Sequence, residues 1–118
     1  MTNENIVKNA IIDYLTLTGW LVIRINSGAA SGDDNGKRRF VSFVRWFCGG
    51  HKPQTAGIAD ILAFKDGTYL AIECKRPGKA ANVSEVQKRF LGEWARHGGT
   101  WCVAENVEDV ILGLPEGT

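Results

Sequence analysis

The chain has 118 residues, 44% of them hydrophobic and 23% charged, with a formal net charge of +1. That length fits one domain with a core of its own, and the composition is that of a soluble globular protein, which excludes disordered and fibrous classes. No apolar run approaches the roughly 18–20 residues of a membrane span, and the polar start MTNENIVKN does not read as a signal peptide.

The expectation is therefore a single domain over residues 1–118, located in the cytoplasm, with no membrane partner. Three cysteines in unlike contexts, Cys48, Cys74 and Cys102, argue against a disulfide framework. The small net charge hides an uneven distribution. Residues 24–52 hold Arg24, Lys37, Arg38, Arg39, Arg45 and Lys52 against only Asp33 and Asp34, whereas Glu105, Glu108, Asp109 and Glu116 near the end are unopposed by any base. A basic middle is compatible with nucleic acid on one face, and equally with a solvated surface.

In chain order, residues 3–18 predict a helix. Thr2 or Asn3 can cap it, Val7, Ala10, Ile11, Tyr14 and Leu15 recur at helical spacing, and Gly19 ends it. Residues 20–26, WLVIRIN, read as a strand, and residues 27–38 as a loop rich in Gly, Ser, Asp and Asn. The alternation in RFVSFVRWF, residues 39–47, predicts a second strand, followed by the loop CGGHKPQTAG. Two strands then flank Asp66-Gly67, and after the loop RPGKAAN come a helix over 84–97, a strand TWCVA over 100–104 and a short helix over 106–113. The order α-β-β-β-β-α-β-α predicts an α/β fold with a mixed sheet flanked by helices.

The stretch GIADILAFKDGTYLAIECK, residues 57–75, carries the chemistry. A two-residue turn at Asp66-Gly67 sets Asp60 directly opposite Glu73, and side chains two apart on a strand share a face, so Asp60, Glu73 and Lys75 project together. Both faces of these strands are otherwise mostly apolar, as in strands covered on two sides. Facing carboxylates in such a place repel, and a divalent cation resolves the conflict; oxygen donors suit Mg²⁺ or Mn²⁺. A salt bridge in which Lys75 neutralises one or both acids is the alternative.

Asp60 followed after twelve residues by Glu73-Cys74-Lys75 resembles the D…(D/E)-x-K signature of the restriction-endonuclease-like nucleases. With Gly57, the Asp-Gly turn, Gln87 and HGGTWCVAEN, residues 97–106, the chain is similar to the VRR-Nuc branch of that superfamily. That branch occurs as stand-alone phage proteins and as the nuclease module of crosslink-repair enzymes, and it resembles the archaeal Holliday-junction resolvases. Family members often have proline before the aspartate; Ala59 stands there in this chain.

The resemblance implies a restriction-endonuclease-like core and hydrolysis of phosphodiester bonds in Holliday junctions or other branched or duplex DNA, with no organic cofactor. It implies a homodimer, and host-cell cytoplasm if the protein is phage-encoded. Asp60, Glu73 and the main-chain carbonyl of Cys74 would hold Mg²⁺ or Mn²⁺. Lys75 would position or deprotonate the water, or stabilise charge on the phosphorane. Flap or end processing, non-specific cleavage, and a catalytically weak DNA-binding module are the alternatives.

Gln87 is either the reciprocal partner of Ser84 in a capping box or an inward amide over the acids, since it shares a helix face with Phe90, Leu91 and Trp94. Glu4 is either a favourable charge at a helix start or a third carboxylate over the site, as it precedes Val7 and Ile11 at helical spacing. Lys37, Arg38, Arg39, Lys52, Arg76 and Lys79 are candidates for phosphate contacts. Cys48 and His51 have a C-x-x-H spacing but no second pair to complete a zinc site.

Overall fold

The computed structural model describes residues 3–25, 29–30, 39–40, 44–50, 54 and 56–115. Helix α1 (Glu4–Leu17) starts where the side chain of Asn3 accepts a hydrogen bond from Ile6 N at 3.0 Å, and the chain turns away at Gly19, whose φ is 94°. Its buried stripe is Val7, Ile11 and Leu15, at the spacing of one helix face. Strand β1 (Leu21–Arg24) follows, then the two-residue strands β2 (Ala29–Ala30) and β3 (Arg39–Phe40), which pair antiparallel with each other.

Strands β4 (Ile61–Lys65) and β5 (Thr68–Cys74) form the hairpin. Asp66 and Gly67 lie at φ 48° and 82°, the two left-handed residues that a type I′ turn requires. The pairing runs from Lys65↔Thr68 to Ile61↔Ile72, the register expected from the sequence. Helix α2 (Glu85–Arg96), strand β6 (Thr100–Ala104) and helix α3 (Val107–Gly113) complete the chain order.

The sheet order is β1-β4-β5-β6, with β6 parallel to β5 and the other neighbours antiparallel. A parallel neighbour needs a crossover, and α2 supplies it. The architecture is thus an α/β fold with a mixed sheet flanked by helices, in the expected order, with β2 as a two-residue addition inside the stretch read as a loop. The strand expected over 39–47 is a correction. Among the described residues of that stretch only Arg39–Phe40 lies in a ladder, Val44 and Arg45 do not, and Trp46 forms an isolated bridge to Gln54; residues 41–43 lie outside the described residues. Its indole explains the departure, because Nε1 donates to the Ala56 carbonyl at 2.8 Å and the ring packs edge-on against Phe90, so tertiary packing overrides the alternation.

Side-chain alternation along the hairpin feeds two cores. Ile61, Ala63, Leu70, Ile72 and Cys74 pack with α1 and with Cys102, Ala104 and Val110 on one face. Ala71 and the half-buried Leu62 pack with Phe90, Leu91 and Trp94 of α2 on the other. Three of the four tryptophans belong to these cores, and only Trp101 is exposed. Among the described residues no helix is long and apolar enough to cross a membrane.

Candidate metal centre

Both long helices begin at the end of the sheet where β4 starts and β5 finishes, so their first turns and the hairpin's open end meet there. Asp60 precedes β4 and is fixed twice: its carbonyl accepts from Ile25 N and its Oδ2 from Cys74 N, each at 2.8 Å. Continuing the ladder one step beyond Ile61↔Ile72 sets Asp60 opposite Glu73.

Glu73 is the one charged residue buried among the described residues, at 3% exposure. Its Oε1 accepts from Gln87 Nε2 at 3.0 Å, but its Oε2 is buried with no hydrogen-bond partner. Burial raises its carboxyl pKa, to about 9, and the neighbouring Asp60 adds to the shift through charge and side-chain proximity. Lys75 opposes that rise and the charge of Glu4 reinforces it, so the four charged groups expected at the site, Asp60, Glu73, Lys75 and Glu4, act on one another.

Gln87 serves both readings at once. Its Oε1 accepts from Ser84 N at 2.9 Å while Ser84 Oγ accepts from Gln87 N at 3.2 Å, a complete capping box. The same amide holds Glu73 through Nε2 and accepts from Lys75 Nζ at 3.4 Å. Gly57 explains how α2 comes so close. At φ 87° it lies against the backbone of Val86, where a Cβ would stand 2.5 Å from the carbonyl oxygen.

Lys8 is a residue that sequence reasoning missed. Its Nζ lies 3.5 Å from Asp60 Oδ1, with both side chains only 13% exposed, so the ion pair on Asp60 is made from α1 while Lys75 turns to Gln87. The signal was present, since Lys8 lies four residues after Glu4 on the face bearing Val7 and Ile11. Cys74 contributes its N–H to Asp60, and its thiol lies in the core.

Beside the acids a recess of about 520 Å³ is lined by Glu4, Lys75, Arg76 and Lys79 together with Asn3, Asn5 and Asn82. Arg76 and Lys79 ride on the loop after β5, which a second missed residue secures. Glu105, at the end of β6, accepts from Gly78 N at 3.0 Å and Ala80 N at 2.8 Å, and these donors hold its carboxyl below the usual range. Of the other candidates for DNA contact, Arg39 opens β3, and Lys37, Arg38 and Lys52 lie outside the described residues, as does His51.

The donor set fits a hard divalent cation. Asp60 and Glu73 converge, the exposed Glu4 acts on them through its charge, and one buried oxygen lacks a donor, which is the need that a cation meets. No family model matches the chain, and no curated protein matches it.

Proposed function

We propose that the protein is a Mg²⁺- or Mn²⁺-dependent endonuclease that hydrolyses phosphodiester bonds in branched DNA such as Holliday junctions. The observation that carries the proposal is the unpartnered buried Oε2 of Glu73 beside Asp60, on a carboxylate whose Oε1 is held by the Gln87 amide that also accepts from Lys75. Asp60 and Glu73 would hold the ion, together with the Cys74 carbonyl that the resemblance implies. Bound there, it supplies Lewis-acid polarisation of the scissile phosphate and a lowered pKa for water.

The chain's own groups do the rest. Gln87 fixes the Glu73 carboxylate and the Lys75 side chain relative to each other, so the acid and the cation keep one geometry. Lys75 lines the recess, where its ammonium stabilises charge that builds on the phosphate. Arg76 and Lys79 line the same recess and bind the flanking backbone phosphates, which gives affinity without sequence readout. A four-way junction has two strands to cut symmetrically, and a homodimer with a two-fold axis presents two such sites.

The test is incubation of wild type and Lys75→Ala with labelled junction, flap and linear duplex, with and without Mn²⁺. Wild type cleaves the junction fastest and only with the ion, and Lys75→Ala loses on the order of 100- to 1,000-fold in rate. Equal cleavage by both proteins would remove Lys75 from the reaction. One observation favours a second reading, a DNA-binding module of the same fold: Lys8 already neutralises Asp60. Junction binding without cleavage under any ion would select it.

A further inference from the structure

About 9–15 Å along α2 from Gln87, by the helix rise, Glu93 and His97 meet a residue from a different part of the chain. We propose that Cys48 Sγ, a Glu93 carboxylate oxygen and a ring nitrogen of His97 bind a borderline-soft divalent cation of the Zn²⁺ class, at a site separate from Asp60 and Glu73.

The three ligand atoms lie within 4.8 Å of one another. Cys48 Sγ donates to Glu93 Oε2 at 3.1 Å, and His97 Nδ1 is 3.8 Å from the same oxygen. Bonds of about 2.0–2.3 Å at tetrahedral angles give ligand-to-ligand edges of about 3.3–3.6 Å, so shifts of about half an ångström suit the two separations from Glu93, and a turn of the His97 ring by up to about 1 Å would close the set around an ion. Thiolate and imidazole select Zn²⁺ over Mg²⁺, which separates this site in chemistry from the all-oxygen one. A recess of about 340 Å³, bordered by Phe47, Gly49 and Trp94 as well as the three ligands, leaves the fourth position to water.

The ligands are carried on anchored elements. His97 and Glu93 are four apart at the end of α2, and the segment bearing Cys48 is held by the Trp46 indole and the Trp46–Gln54 bridge. His97 Nδ1 is 2.8 Å from the Glu93 carbonyl, which His97 N also bonds at 3.1 Å. The ring can therefore leave that carbonyl without orphaning it, and its 62% exposure gives it room to turn. On binding, the Cys48 thiol releases its proton to solvent, and the ion takes the proton's place between sulfur and carboxylate. Arg96, 3.0 Å from Glu93 Oε2, competes with the ion for that oxygen.

Titration of the full chain with Co²⁺, a spectroscopic stand-in for Zn²⁺, tests this. Cys74 and Cys102 are buried in the core, so a sulfur-to-cobalt absorption reports on Cys48. Wild type and Glu73→Gln develop the band with one equivalent, and Zn²⁺ bleaches it. Cys48→Ser abolishes the band. His97→Ala, a change at an exposed position, weakens Zn²⁺ affinity at least about 10- to 100-fold. Arg96→Ala tightens it about two- to fivefold. Absence of the band in wild type, or Zn²⁺ affinity unchanged in His97→Ala, would overturn the proposal and leave the cluster an ion-pair network.

Discussion

Replacing Glu73 by glutamine is expected to stabilise the metal-free protein at neutral pH. Burial and the neighbouring Asp60 raise the Glu73 pKa to about 9 from 4.5. The folded state thus keeps a proton that the unfolded chain has released, and stability falls as pH rises from the unfolded value towards the folded one. Each unit in that window costs about 1.4 kcal/mol, so this one group removes about 2–3 kcal/mol between about pH 5.5 and 7.5. The Glu73→Gln variant would carry no such cost. The amide oxygen it introduces can still accept from Gln87, and the amide NH₂ supplies a donor where Oε2 has no partner, beside the Asp60 carboxylate. Thermal melts of both proteins in EDTA across this range provide the assay. The wild-type midpoint should drop by about 10 °C relative to Glu73→Gln. Added Mn²⁺ should raise the wild-type midpoint and leave the variant's nearly unmoved. A variant that is less stable than wild type at pH 7.5 in EDTA, or one with the same pH slope, would refute the reasoning.

Lys8→Gln removes the cation that shares Asp60 with an incoming ion, so Mn²⁺ affinity, read by calorimetry, should rise while the metal-free protein loses about 1 kcal/mol or more in urea melts. Arg76→Ala and Lys79→Ala should each lower the slope of log affinity for DNA against log salt by about 0.9, with no change in preference among sequences of one shape. Glu105→Ala frees the Gly78 and Ala80 amides and loosens the loop bearing both bases. DNA binding should weaken and proteolysis at residues 76–82 should quicken, while the helical circular-dichroism signal holds.

The hairpin was legible because one dipeptide determines it: Asp66-Gly67 admits a turn with both residues left-handed, and every pairing up to Asp60 and Glu73 follows by counting. Two helix starts were legible for a similar reason, since Asn3 and Ser84 cap by local bonds. The segment after residue 40 was not. Alternation reports that two faces differ, not which strand pairs with them, and Trp46 is claimed by Phe90 and the Ala56 carbonyl. Gln87 admitted two readings because a side chain that caps its own helix can still reach a neighbouring strand, and only the approach of α2 shows that it does both. The meeting of Cys48 with Glu93 and His97 spans 45 residues of chain and leaves no spacing to read.

The contact at Gly57 has a mechanical consequence. The segment leading to the first acid touches the first turn of α2 main chain to main chain, with no room for a side chain as a spacer. Main-chain packing at Gly57, not a rotamer, therefore sets how near the start of α2 stands to the segment that carries Asp60. Fraying at the start of α2 frees Gly57 at the same moment, so amide exchange at residue 57 and at 85–88 is expected to quicken together, while Asp60 stays tied to the sheet through Ile25 N and Cys74 N.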